Sequence, residues 1–294
     1  MTDERKLALI DAHVHLWDLS SHRWYPAMQE PDPDATFESL GDVTRMARDF
    51  LLPEYRAETA GFDVRGLVHV SATTAPRAYV EETAWVDDLL GPADLAVALI
   101  GAVEAGLPRA EVEADLDAQA ASPRFRGARV LAGLDPASGF ATDLCELLRE
   151  RGLVLDLVAH PGDVAGLRPL LERFGDLEVV LEHAGWPDGT GPEERAAWEN
   201  AVAALAEHDN VTCKVSGLGM VTHTLSVAEL RPWIETCLQA FGPGRCLFGS
   251  NFPVEAMYGT YDELLTAYRD AAAGLAEAER DAFFAGNARR AYRL

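Results

Sequence analysis

Short apolar runs bounded by turn residues recur along the chain, and each is followed by a longer segment with helical periodicity. The runs begin near Leu9, Arg65, Leu95, Arg126, Leu153, Leu177, Val211 and Cys246, spaced by about 25 to 35 residues after one wider first interval. Residues 79–90, 109–121, 142–151, 164–174, 193–207, 227–241 and 261–273 set apolar stripes against faces of Glu, Arg and Asp, the pattern of surface helices. Ser226 is placed to cap one of them, and Arg151-Gly152 and Phe241-Gly242 read as helix stops. Eight strand–helix units predict an α/β fold, a (β/α)8 barrel, with residues 1–294 as one domain and no internal linker or low-complexity segment. Residues 271–280 read as surface helix, and residues 287–294 as closing the bottom or side of the barrel.

The first connection breaks the spacing. His22-Arg23-Trp24-Tyr25-Pro26 and then Glu30-Pro31-Asp32-Pro33-Asp34 are too long for a simple turn. Such a loop leaves the C-terminal end of strand one, where barrel enzymes build their sites, so it either roofs a pocket or packs an aromatic on the rim.

Composition narrows the partners. The 294 residues hold 25 Lys and Arg against 48 Asp and Glu, a net charge of −23, and 48% of the residues are hydrophobic, enough for a large core. That field repels phosphate backbones and anionic membrane surfaces, and no basic run interrupts it. No stretch approaches the roughly 20 apolar residues of a membrane span, and the mixed-charge start Met1-Thr2-Asp3-Glu4-Arg5-Lys6 is unlike a secretory signal, so a cytoplasmic protein acting on a small molecule is expected. Cys145, Cys213, Cys237 and Cys246 form no CxxC pair and read as structural thiols.

The strongest local signal is Ile10-Asp11-Ala12-His13-Val14-His15 at the end of strand one. Side chains alternate along a strand, so Asp11, His13 and His15 should share one face, with both imidazoles free to converge on one ion. An HxH pair alone is also compatible with ordinary polar rim residues. Two more histidines follow later strands, His160 after the fifth and His183 after the sixth, so four imidazoles are expected at one rim. Neutral imidazole is a common ligand of zinc and similar ions, and an ion with an open position can polarise a carbonyl or acidify water.

Several motifs occur in order with this pair: Asp11-Ala12-His13-Val14-His15-Leu16-Trp17-Asp18, Glu82-Thr83-Ala84-Trp85, Phe125-Arg126-Gly127-Ala128-Arg129, Glu182-His183-Ala184-Gly185, Lys214-Val215-Ser216-Gly217-Leu218, Phe248-Gly249-Ser250-Asn251-Phe252-Pro253-Val254 and Asn287-Ala288-Arg289-Arg290-Ala291-Tyr292. From about Leu9 to Leu294 the chain resembles the amidohydrolase superfamily, in the lactonase-like branch that includes fuconolactonase and pyrone-dicarboxylate lactonase. The resemblance implies His13 and His15 as strand-one ligands of metal or substrate, His160 as the strand-five ligand, and His183 as the strand-six group polarising the scissile carbonyl. It implies a divalent metal, zinc first, although relatives differ in whether they need one.

One position departs from that pattern. Many relatives end strand eight with an Asp that binds metal or acts as base, and this chain has Asn251. An amide can hydrogen-bond water or a substrate oxygen but cannot take the proton, which leaves water activation to a bound metal, to His183 or to a nearby carboxylate such as Glu255. Arg126 and Arg129 flank Gly127 on strand four. A guanidinium fork matches a carboxylate, similar lactonases use arginines here for acidic substrates, and Arg129, nearer the strand's C-terminal end, is the expected anchor; a salt bridge is the alternative for each. His69, His223, Tyr258, Trp24 and Trp186 are candidates for the pocket wall or for ordinary packing. Lys214 and Lys6 are the only lysines, and a lysine on strand seven fits either a catalytic group or a buried ion pair.

The expected activity is hydrolysis of a small lactone, sugar-derived or carboxylate-bearing. The alternatives are a metal-dependent decarboxylase of the aminocarboxymuconate type and a barrel that binds a small molecule without turning it over. A homo-oligomer is compatible with the sequence.

Overall fold

The computed structural model describes residues 7–30, 40, 41, 43–72, 74–92 and 94–294. Its eight strands are β1 (Ala8–Val14), β2 (Asp63–Val70), β3 (Ala96–Ala102), β4 (Phe125–Arg129), β5 (Val154–Leu157), β6 (Val179–Leu181), β7 (Val211–Val215) and β8 (Cys246–Phe248), hydrogen-bonded in sequence order. Each neighbouring pair from β1–β2 to β7–β8 is parallel. The ring is completed past the end of β8, where Asn251 N–H donates to His13 O at 2.8 Å and His15 N–H donates to Phe252 O at 2.9 Å. This is the (β/α)8 barrel expected from the periodicity, and the closing bonds fall within the HxH segment.

The helices, in chain order, are α1 (Pro26–Gln29), α2 (Leu52–Glu58), α3 (Tyr79–Leu90), α4 (Arg109–Gln119), α5 (Gly139–Glu150), α6 (Val164–Arg173), α7 (Pro192–Ala206), α8 (Gly219–Thr222), α9 (Val227–Phe241), α10 (Tyr261–Ala271), α11 (Glu277–Asp281) and α12 (Asn287–Tyr292). Their apolar stripes pack on the outside of the strands, for example Leu144, Leu147 and Leu148 of α5 and Leu264, Leu265 and Tyr268 of α10. Ser226 stands at the N-cap of α9 without accepting a side-chain capping bond. Ser138 and Thr260 do accept one, from Ala141 N–H and Glu263 N–H, and each satisfies an otherwise unpaired first-turn amide. The stretch expected as helix over 271–280 is a turn followed by α11. All four cysteines are free and buried.

The interior of the barrel is a second, smaller core. Ile10, Ala12, Val68, Val70, Ala98, Ile100, Val154, Val180 and Leu247 point inward, and Ala288, Ala291 and Tyr292 of α12 close it from below. Above this apolar floor lies an ion pair, Lys214 with Asp156, both fully buried, and Tyr292 Oη donates to Asp156 Oδ1 at 2.9 Å. Alternate residues of each strand share a face, so the inward set continues upward as Arg129, Glu182 and Ser216 toward the C-terminal rim.

β1 departs from simple alternation. Asp11 pairs with Leu67 and Val14 with His69, so β1 spends three residues where β2 spends two, the signature of a β-bulge. Ile10 and Ala12 face the interior below the bulge, and His13 and His15 face it above. Asp11 is left on the outer face, where Tyr55 Oη of α2 and Tyr261 Oη of α10 donate to Oδ2 at 3.0 and 3.2 Å. The expectation that Asp11, His13 and His15 share one face is therefore corrected. Strict alternation would aim Asp11 with the imidazoles, and the extra residue rotates the chain between them.

Lys6 and residues 31–34 of the first connection lie outside the described residues. No helix among the described residues is long and apolar enough to cross a membrane.

Candidate functional site

The bulge brings His13 Nε2 within 3.1 Å of His15 Nε2, and the His183 ring lies 4.5 Å from the His13 ring. Glu182, first residue after β6, points into the same space, and ligand atoms of His13, Glu182 and His183 all lie within 4.8 Å of one another. Each member is held from behind. His15 Nδ1–H donates to Val70 O at 2.8 Å, which fixes its tautomer and leaves the Nε2 lone pair facing His13. His183 Nδ1 is 3.0 Å from Ser216 Oγ. Arg129 Nη1–H donates to Glu182 Oε2 at 3.1 Å while Nη2–H donates to Ser71 O.

Backbone strain aims His183. Residues His183, Ala184, Gly185 and Trp186 have φ of 50°, 55°, 75° and 36°, a run of left-handed conformations in which only Gly185 avoids the steric cost. Such a stretch persists only where the surroundings over-determine it, at roughly 1–3 kcal/mol per residue. Trp198 Nε1–H donates to Ala184 O at 2.7 Å and is one of the clamps. Asn251, at φ 57°, is held similarly through its N–H on His13 O.

The electrostatics keep the rings neutral. Burial lowers the pKa of all three imidazoles, to about 4 for His15 and about 3 for His183, with Arg129 and Lys214 acting in the same direction on His183. For His13 burial and then Lys214 push it well below the usual value. Burial alone would raise Glu182, but Arg129 and then Lys214 overcome it and hold the carboxylate ionised. Glu182 Oε1 and His13 Nδ1 have no hydrogen-bond partner among the described residues. Neutral imidazoles whose lone pairs face one another, beside an ionised carboxylate with a free oxygen, are a donor set that fits a divalent cation such as zinc.

Two further buried carboxyls, Glu82 beside Arg129 and Glu255 beside Asn251, lie next to this cluster. Glu82 accepts from Tyr25 Oη and Ala72 N, each at 3.1 Å, and from Ser71 Oγ, and burial raises its pKa to about 7. Glu255 accepts from Gly219 N–H at 3.1 Å, and burial raises it to about 8. Glu255 Oε1 and its neighbour Asn251 Oδ1 have no hydrogen-bond partner among the described residues, while Asn251 Nδ2 faces Met220 Sδ at 3.5 Å.

The other candidates fall in different places. His160 does not join the cluster: its side chain is 45% exposed and Nδ1 pairs with Asp188 Oδ1 at 2.8 Å. β5 ends at Leu157, and the chain turns into the short helix Pro161–Asp163, so strand parity no longer governs where His160 points. Arg126 is corrected as well: it stands at the start of β4, where the register with β3 shifts, far along the strand from Arg129's end, and donates to Pro123 O and Phe125 O. His69 is buried behind His15, where Nδ1 accepts from Leu16 N–H at 3.3 Å. Trp186 sets its ring edge-on to His183 at 4.8 Å. Trp24 stacks on His22 at 3.9 Å and meets Trp85 edge-on, and makes no ring contact with His13, His15 or His183. Lys214 is committed to Asp156 beneath the cluster. Tyr258 stacks on His223 at 5.6 Å. Glu182 and Ser216 join the site unforeseen by the motifs that contain them; the parity that places Val180 and Lys214 inward also places these two.

The sequence profile of the amidohydrolase family matches residues 10–294. The chain is 30% identical to an L-fucono-1,5-lactonase of Burkholderia multivorans across 97% of its length and 96% of the relative's. It is 28% identical to an L-fucono-1,5-lactonase of Burkholderia ambifaria across 86% of its length and 83% of the relative's. Among solved structures, an amidohydrolase from Burkholderia multivorans with bound zinc superposes with a TM-score of 0.78 at 24% identity, covering 98% of this chain and 99% of that one. The chain belongs to the amidohydrolase family, in its lactonase-like branch, and its His/Glu cluster is the candidate metal centre of an enzyme.

Proposed function

We propose that this protein hydrolyses a small lactone at the cluster of His13, His15, Glu182 and His183. The observation that carries the reading is the buried meeting of three neutral imidazoles and an ionised carboxylate at the C-terminal rim of the barrel. The two L-fucono-1,5-lactonases among its relatives support a sugar-type lactone as substrate, and the buried Arg129 supports the carboxylate-bearing alternative. These four side chains would hold a divalent ion, zinc first, and such an ion when bound acidifies water or polarises the ring carbonyl.

The remaining residues position and tune. Arg129 keeps Glu182 ionised and aimed, and its Nε–H, without a partner among the described residues, is the donor left to meet an acidic group of the substrate. Ser216 holds the ring of His183, whose Nε2 faces Glu182 Oε2 at 3.9 Å. Asn251 Oδ1 is a free acceptor for a hydroxyl or water proton at a position where an amide cannot itself become protonated. Lys214 acts through Asp156 and through its charge, which helps keep His13 and His183 neutral. Trp186 closes the side of His183. The reading takes residues 1–294 as one barrel unit acting on a small molecule, and a net charge of −23 argues against nucleic acid as a partner.

The test is turnover by purified protein of a panel of sugar lactones and acidic lactones, followed by proton release, with metal analysis of the same batch. Ring-opened acid supports the reading. Release of carbon dioxide from an aromatic or muconate-type acid would move the protein to the decarboxylases, and intact ligand after saturating incubation would make it a binder.

A further inference from the structure

We propose that the cavity over the C-terminal ends of β2, β3 and β4 is a subsite for a neutral apolar substituent, so that the substrate class is an alkyl- or aryl-bearing lactone. The inference rests on the lactonase reading and adds the identity of the ring's side chain. The cavity measures about 320 Å³, at the small end of the roughly 300–1,000 Å³ typical of ligand sites, which suits a short chain or a single ring.

The cavity begins one residue along the chain from the groups that hold the cluster. Ala72 lines it and directly follows Ser71, whose carbonyl accepts from Arg129; Val130 lines it and directly follows Arg129, which holds Glu182. Ala102 and Val103 form the floor at the end of β3, and Ala105 and Ala132 stand on the exposed β3 and β4 loops. On the α3 side Arg77 and Tyr79 are already engaged, and Thr74 adds one hydroxyl to the lining. Arg77 pairs with Glu111 at 2.7 Å and with Asp115, and Tyr79 Oη donates to Asp115 Oδ2 at 2.6 Å while accepting Glu104 N–H at 3.2 Å. With Arg77 neutralised and Glu104 at the rim, an anionic group gains nothing by entering, whereas each apolar carbon that does so leaves water.

The experiment compares γ-lactones carrying hydrogen, methyl, propyl and pentyl substituents, by kcat/KM and by calorimetric binding to the same preparation. Wild-type protein should gain roughly fourfold in kcat/KM or affinity per buried methylene until the cavity is full. Ala105→Trp and Ala132→Trp, on the loops after β3 and β4, should each flatten the series. A flat series in an enzyme that opens the unsubstituted lactone, or a slope untouched by both variants, would overturn the inference and leave the lactonase reading standing. If no lactone is opened, the lactonase reading fails separately; binding that strengthens with chain length and is lost in both variants then still supports the apolar subsite, and flat binding overturns it.

Discussion

A Cβ built on Gly217 would lie 2.4 Å from Nδ1 of His183. Gly217 also sits at φ 67°, in the left-handed region, so the loop after β7 can pass beside the imidazole only without a side chain. The same ring is fixed by Ser216 on one side and by the strained run from His183 to Trp186 on the other. The site is thus built by backbone as much as by side chains.

Gly217→Ala is accordingly expected to cost about 1–3 kcal/mol of stability from strain and overpacking. Lactone turnover should fall by roughly 100-fold, because the displaced ring is no longer in line with the cluster. Denaturant unfolding and kcat/KM on the same preparation check both. Ser216→Ala, which removes one hydrogen bond without a clash, should lose less of each.

Arg129 and Glu182 are 3% and 0% exposed, so neither charge tolerates loss of its partner. Arg129→Leu should destabilise the protein by about 3–5 kcal/mol, the cost of leaving Glu182 buried and uncompensated. Adding Glu182→Gln should recover much of that loss, a coupling read from a double-mutant cycle in urea. Additive effects would remove the ion pair from the account.

Glu255 gives a pH prediction. Its folded pKa is raised to about 8 from an ordinary 4.5, so the folded state holds a proton that the unfolded chain releases between those values. The stability this group contributes is fully present below about pH 4.5 and is lost as pH rises through 8. Glu255→Gln keeps the shape of the protonated carboxyl and cannot ionise. Its stability relative to wild type should therefore improve from pH 5 to 9, and a difference independent of pH would contradict a buried neutral Glu255.

Asn251→Asp should fold, because Asp shares the tolerance of Asn for positive φ. It places a second carboxyl beside Glu255 and near His15, and the variant should retain more divalent metal after dialysis than wild type, measured as ions per chain. Equal retention would show that position 251 does not reach the ion.

The eight strand starts were legible because a strand buried on both faces reads as an uninterrupted apolar run, and each lies within two residues of its expected position. His13 and His183 were legible as a pair because both follow such runs closely. Asp11 was misplaced because a bulge adds a residue without leaving a mark in the hydrophobic pattern. His160 was misplaced because β5 ends three residues before it, and beyond a strand's end the turn decides direction. Glu182 was hidden for a different reason: an acidic residue next to a histidine reads as rim polarity until Arg129, 53 positions earlier, is seen to neutralise it. Position along β4 separates the two arginines: Arg129 stands at its C-terminal end opposite Asp156, and Arg126 at its start, where the register with β3 shifts.

The most direct test of the central claim is a metal titration read by turnover. Protein stripped with a chelator should open its lactone at background rate, and added zinc should restore activity in proportion to occupancy, saturating near one ion per chain. His13→Asn and His183→Asn should bind less than wild type and remain inactive at the same zinc concentration. Full lactone turnover by protein shown to hold no metal would contradict the assignment of His13, His15, Glu182 and His183 as a metal centre.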